Sequence, residues 1–262
     1  MKKKQILILG LILSMVLGVK NVFAEDLDNH NVYFVSDNGI KLTEKEYNLF
    51  NELYGEEYTV NLTKEQYDRV NGYLDINNKE IEINTAIDKE ENPFIKYSGK
   101  APLRSTYVQT TYKRIAISKS CGTYSCNVVM TLQWLLSPAI RSYDVMGIRY
   151  NGSVSAESPF TIMETNEMTT YPASYVFKSN GFGNSIKLSQ TAQSIYITQA
   201  FVASGTGRIY GTYQHATSSV SKGTSQMYNI NETGLGDVFD FYGAANGIYD
   251  EMNGVYINIS TN

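Results

Sequence analysis

The segment Val128-Val129-Met130-Thr131-Leu132-Gln133-Trp134-Leu135-Leu136 decides the fold. Val128, Met130, Leu132, Trp134 and Leu136 fall on alternate positions with Thr131 and Gln133 between them, and a β-strand turns successive side chains to opposite faces. The segment therefore reads as a strand with one apolar face on a core. Trp134, the single Trp of the chain, reads as a core residue, since a ring that stacks on a sugar is more often carried by a loop.

On both sides of this strand the same period recurs. From Tyr107 onward, strand-length stretches rich in β-branched and aromatic residues alternate with Gly, Asn, Ser and Pro. They include Tyr107 to Ser118, Tyr143 to Tyr150, Phe160 to Glu164, Ser185 to Leu188, Ser194 to Val202, Arg208 to Ala216 and Gly254 to Ile259. About ten strands would leave a large apolar face wet if they formed one sheet. The expected fold is mainly β, a two-sheet β-sandwich of Greek-key or jelly-roll type. The run from Asn246 to Met252 is the exception, because Ile248 and Met252 stand four apart and predict one helical turn.

Upstream the pattern changes. Leu42-Thr43-Glu44-Lys45-Glu46-Tyr47 and Leu62-Thr63-Lys64-Glu65-Gln66-Tyr67 repeat one scheme twenty residues apart. In each, Thr can accept from the N–H three residues on while Glu46 or Gln66 reaches back, and the preceding Leu packs on the Tyr. Two helices in a hairpin with a tyrosine-rich centre are expected, preceded by a turn at Asp37-Asn38-Gly39 and followed by a strand at Glu80 to Asn84.

Charge follows the same division. Residues 25–98 hold 17 acidic and 7 basic side chains, and residues 99–262 hold 9 and 11. Pro93, Pro102 and Ser98-Gly99 lie at the change. The expected organisation is a small acidic α+β module at 25–90, a linker at 91–105 and a β-sandwich domain at 106–262. No clustered basic footprint is present, which argues against nucleic acid as a partner.

The chain opens with Lys2, Lys3 and Lys4, an apolar run from Ile6 to Val19 and the small-residue end Val22-Phe23-Ala24. That is the pattern of a secretory signal peptide, 1–24, cleaved after Ala24, and it is short for a membrane span. The mature chain is expected to be secreted. In that setting Cys121 and Cys126, which flank Gly122-Thr123-Tyr124-Ser125, read as a disulfide across a hairpin mouth. No His lies close enough in sequence to make them a zinc site, and no cofactor or metal is called for.

Chemistry is sparse. The histidines are His30, in a polar stretch, and His215, which shares alternate positions with Ile209, Gly211 and Tyr213 and reads as a hydrogen-bonded interior residue. G-x-S-x-G and H-E-x-x-H do not occur. Glu157, Glu164, Glu167, Asp237 and Asp240 are the acids a glycosidase pair would draw on. None has a neighbourhood that distinguishes it, so a polysaccharide hydrolase is kept only as an alternative and no catalytic residue is assigned. The two strands between Ser194 and Ser221 read as a core hairpin. Their alternation also resembles the membrane-inserting hairpins of β-pore-forming toxins, though Arg208, Gln214 and His215 interrupt it.

The leader, the N-G-x-x-L-T-x-x-E-Y run at Asn38 to Tyr47, the Y-x-H-A segment at Tyr213, His215 and Ala216, and the Y-D-x-M-x-G-V run at Tyr249 to Val255 resemble exported proteins of unknown function from low-GC Gram-positive bacteria. The resemblance implies a secreted, cell-surface setting and brings no activity. The expected function is non-catalytic binding of a glycan or cell-surface protein, with Tyr124, Tyr171 and Tyr242 as contact residues on loops and strand ends.

Overall fold

In a computed structural model of the protein, the described residues are 32–87, 113–231, 238–252 and 254–262. The leader, His30, the linker at 91–105 and Asp237 lie outside them. A short hairpin, β1 (Phe34–Val35) and β2 (Lys41–Leu42), leads into α1 (Glu44–Tyr54), α2 (Glu56–Val60) and α3 (Lys64–Leu74). Both capping boxes form. The Thr43 hydroxyl accepts from the Glu46 N–H at 3.3 Å while the Glu46 carboxylate accepts from the Thr43 N–H at 2.8 Å, and Thr63 and Gln66 do the same.

The hairpin of two helices expected from the repeat contains a third. Gly55 separates α1 from α2 at φ +86°, a conformation that favours glycine, and a Cβ there would lie 2.6 Å from Gln133 Oε1. The tyrosines buried at the centre are therefore Tyr54 and Tyr58, stacked at 4.3 Å, while Tyr47 and Tyr67 are only partly buried at its margin.

Beyond α3 the described residues form mainly antiparallel sheet. Its strands are β3 (Ile81–Ile87), β4 (Lys113–Cys121), β5 (Cys126–Trp134), β6 (Tyr143–Tyr150), β7 (Ser155–Thr165), β8 (Thr169–Thr170), β9 (Tyr175–Lys178), β10 (Gly181–Lys187), β11 (Ile195–Ser204) and β12 (Thr206–Ala216). A short helix, α4 (Lys222–Ser225), precedes β13 (Tyr228–Ile230) and β14 (Phe239–Phe241), and β15 (Tyr249–Glu251) and β16 (Val255–Ser260) follow. The first sheet has the order β3-β4-β5-β11-β7-β8. The second runs β9-β10-β6-β12, with β15 and β16 both pairing with β12. The protein is a β-sandwich preceded by a small helical module.

Between the sheets, Val128, Met130, Leu132 and Trp134 of β5 meet Met146, Ile148, Phe182, Ile209, Tyr213 and Ile257 of the second sheet. Trp134 is a core residue, as its period required. The other face of β5 is also covered. Val129 joins Phe50, Leu53 and Tyr54 in a second cluster, and Thr131 donates to the Leu53 carbonyl, so the helices lie on the outer face of the first sheet. Burying each such large side chain is worth about 1.5–3 kcal/mol. A third cluster covers the outer face of the second sheet. There Phe239 and Tyr228 pack over Gly147 and Gly183, and a Cβ on Gly147 would approach Phe239 to 2.8 Å.

Two expectations are corrected. β11 and β12 are not a hairpin: β11 pairs with β5 and β7, while β12 pairs with β6, β15 and β16. Alternation reports which side chains face the core, and it is the same whether the next strand pairs or crosses to the opposite sheet. The helical turn expected at Asn246 to Met252 is a 3-10 turn at Gly243–Ala245 followed by β15. Ile248 packs with the outer cluster and Met252 with the inter-sheet core, so their spacing of four does not define one face. Among the described residues no helix is long and apolar enough to cross a membrane.

Candidate functional site

The sandwich has two lateral edges, and one carries a row of aromatic side chains. There β7 and β8 of the first sheet border β9 and β10 of the second, and the four residues 171–174 carry the chain across. Tyr175 and Thr161 share a hydrogen bond between their hydroxyls at 2.7 Å. One run of rings leads from Tyr73 on α3 to Phe160, 6.5 Å away, and on to Tyr171 at 5.9 Å. A second joins Tyr175, Phe177, Phe182 and Phe201 at spacings of 5.6 to 6.0 Å. Its inner members, Phe182 and Phe201, are buried core residues. Phe160, Tyr171, Phe177 and the neighbouring Met168 are 41%, 59%, 59% and 57% exposed. Burial raises the pKa of the Tyr73 and Tyr175 hydroxyls, so both stay protonated and can donate.

Glu164 of β7 anchors α3, the helix that carries Tyr73. Glu164, one of the acids considered for catalysis, is 8% exposed and forms an ion pair with Arg69 at 2.8 Å. It also accepts from the Tyr58 hydroxyl at 2.9 Å and from Gln66 Nε2 at 3.3 Å. Burial, with the nearby Glu164 charge adding to it, pushes the Tyr58 hydroxyl well above its usual range. Burial is the largest influence on Arg69 and opposes its charge, but the hydrogen bond and charge of Glu164, with Tyr58 and Glu65 adding to them, together outweigh it and the pKa rises. These groups fix α3 on the first sheet, and Tyr73 lies four residues beyond Arg69.

A groove of 450 Å³ opens beside Tyr171. Met168, Tyr171, Pro172, Tyr143, Lys187 and Lys222 border it. The Lys187 ammonium stands 5.4 Å from the centre of the Tyr143 ring. Between Tyr73 and Phe160 a smaller pocket of 160 Å³ is bounded by Asn127, Ser158 and Phe201. The opposite edge holds a larger groove of 880 Å³ bounded by Asn78 to Glu82, Lys119, Cys121 and Asn258 to Ser260. It contains no aromatic side chain, and Lys119 there is paired with Glu82 at 2.9 Å. Of these two grooves, the one beside Tyr171 has aromatic side chains on its border.

Of the tyrosines singled out from sequence, Tyr171 lies in this edge. Tyr124, 76% exposed, is at the tip of the β4–β5 hairpin, and Tyr242, 46% exposed, precedes the 3-10 turn. Among the described residues neither makes a ring contact, and the three are not brought together. Cys121 and Cys126 face each other in register and form a disulfide.

His215 is an interior residue. Its Nδ1 lies 2.9 Å from the buried Asp144 carboxylate, which also accepts from the Tyr213 hydroxyl and the Ala216 N–H. Trp134 Nε1 donates to Tyr213, and Lys113 pairs with Asp250 at 2.7 Å close by. Such a network satisfies buried polar groups at one end of the core. The other acids are dispersed. Glu157 and Asp240 are exposed, and Glu167 accepts from Thr191 at 2.8 Å. Among the described residues no group of three or more His, Cys, Asp or Glu side chains could hold a metal.

No family model and no curated protein matches the chain. Among solved structures it is similar to the pilus backbone of Streptococcus pneumoniae, at 9% identity and a TM-score of 0.28, over 51% of this chain and 31% of that one. It is also similar to the KRT10-binding region domain of the pneumococcal serine rich repeat protein PsrP, at 7% identity and 0.28, over 52% and 86%. A third similar structure, described under adhesion of Streptococcus parasanguinis by Fap1 fimbriae, gives 14% identity and 0.30, over 70% and 96%.

Proposed function

We propose that this is an exported, non-catalytic binding protein that recognises a glycan through the ring-bearing edge of its sandwich. The observation that supports this most is the exposure of Phe160, Tyr171, Phe177 and Met168 on one edge, beside a groove rimmed with hydroxyl groups. Single exposed apolar residues are ordinary, whereas a contiguous patch marks an interaction surface. Ring faces accept the C–H face of a sugar, and Thr170, Ser174 and Ser189 in the groove offer hydrogen bonds to its hydroxyls.

In this reading residues 1–24 are the leader, removed after Ala24. The acidic module at 25–90, the linker at 91–105 and the domain at 106–262 work as one unit, since β3 lies in the first sheet and α3 supplies Tyr73 to the edge. Tyr124 and Tyr242 are then peripheral. A pull-down on bacterial envelopes and a glycan array tests the reading. Wild-type protein should be retained and the Phe160→Ala/Tyr171→Ala variant should not. Equal retention of the two, or none by wild type across both panels, would remove it.

A further inference from the structure

The groove beside Tyr171 differs in charge from the chain as a whole. The protein carries 26 acidic against 22 basic side chains, yet the groove is bounded by Lys187 and Lys222 and by no Asp or Glu. Both lysines are exposed, and among the described residues neither forms an ion pair. Lys187 is positioned over the Tyr143 ring, which restrains its ammonium at the groove wall. Glu167, which accepts from Ser189 on the rim at 3.3 Å, is also bound to Thr191 at 2.8 Å. With two cations and no carboxylate on its border, the groove attracts an anion that enters it.

We infer that this groove takes an acidic sugar, its carboxylate or sulfate lying between the ammonium groups of Lys187 and Lys222 and its apolar face against Tyr171. The inference rests on the reading of this edge as a glycan site and adds the ligand's charge. Rings and hydroxyls next to the cations favour a saccharide over an acidic peptide, which needs the charges but not the ring-walled groove.

The test is a calorimetric titration of the purified protein with sialyllactose, a sulfated heparin tetrasaccharide, neutral lactose and a glutamate-rich peptide. Acidic saccharides should bind about tenfold more tightly than lactose, and their advantage should shrink as salt is added. Lys187→Met/Lys222→Met should reduce their binding to the lactose level, about tenfold, with the melting temperature unchanged because both side chains are exposed. Tyr171→Ala should weaken acidic and neutral sugars alike. Lactose bound as tightly as the acidic sugars, or a lysine variant that binds them like wild type, overturns the inference and leaves the glycan site standing. Binding of the peptide alone, or of no saccharide, overturns both.

Discussion

The two lateral edges of the sandwich solve one problem in opposite ways. Where β3 meets β16, Asn84 Nδ2 donates to the Tyr256 carbonyl at 2.8 Å, Lys119 Nζ donates to the Asn258 carbonyl, and the same lysine pairs with Glu82. Polar side chains there cover backbone groups that would otherwise invite another strand. Where β7 and β8 meet β9 and β10, Thr161 and Tyr175 share a hydrogen bond, Asn184 donates to the Pro172 carbonyl and accepts from the Ser174 N–H, and Phe160, Tyr171 and Phe177 stand exposed beside them. β7 also carries Pro159, which has no N–H to donate, at the bulge in its pairing with β11. Compared with the first edge, which presents polar side chains, the second leaves aromatic ones exposed. It is suited to recognition by ring faces and hydroxyls.

The difference can be broken most forcefully at Glu164. Glu164→Ala removes the partner of Arg69, Tyr58 and Gln66, leaving Arg69 only the exposed Glu65. A loss of about 3 kcal/mol is expected, read as a lower denaturant midpoint. Glycan retention should weaken as well, because α3 no longer holds Tyr73 beside Phe160.

Opening the disulfide acts on the other side. Cys121→Ser/Cys126→Ser removes a short ring worth about 2 kcal/mol on the chain-entropy model. The melting temperature should fall while retention stays at the wild-type level. Asn84→Ala at the closed edge should cost about 1 kcal/mol, again with binding intact, measured by unfolding and retention on the same preparation.

Alkali should act on the helical module that presents Tyr73. Burial, with Glu46 adding to it, pushes Tyr67 up to about 12, and burial with Glu57 does the same for Tyr196. Burial raises Tyr54 and Tyr58 in the same direction. In the unfolded chain a tyrosine titrates near its ordinary value of about 10. The folded state holds these protons more tightly, so the stabilisation is complete below about pH 10 and is lost as pH rises toward the folded values. Helical circular dichroism and tyrosinate absorbance should change together in that window.

Much of this framework was legible in the sequence. The alternation of Val128 to Trp134 placed Trp134 in the core, the two Thr-x-x-Glu/Gln caps placed α1 and α3, and the period of Ile209 to His215 placed His215 inside. Each is a local pattern with a local cause. What escaped depends on distant partners. The apolar Val129 and polar Thr131 of β5 are buried because helices from the other end of the chain lie on them. Glu164 looked like any strand acid until Arg69 and Tyr58 were brought to it. Ser194 to Ser221 read as a hairpin because the period is blind to a crossing between sheets. At the site only Tyr171 was anticipated. Phe160 looked like an ordinary strand residue, and Lys187 and Lys222 share no sequence neighbourhood.

The most direct test of the central claim sets one edge against the other. Phe160→Ala/Tyr171→Ala and Glu82→Ala/Asn84→Ala are each titrated against the glycan that retains the wild-type protein, well below the melting temperature of each variant so that both are folded. Ring removal should cost about 2 kcal/mol or more of binding, and the closed-edge variant should bind like wild type. Equal weakening in the two, or loss confined to the closed edge, would contradict the assignment of the ring-bearing edge as the binding surface.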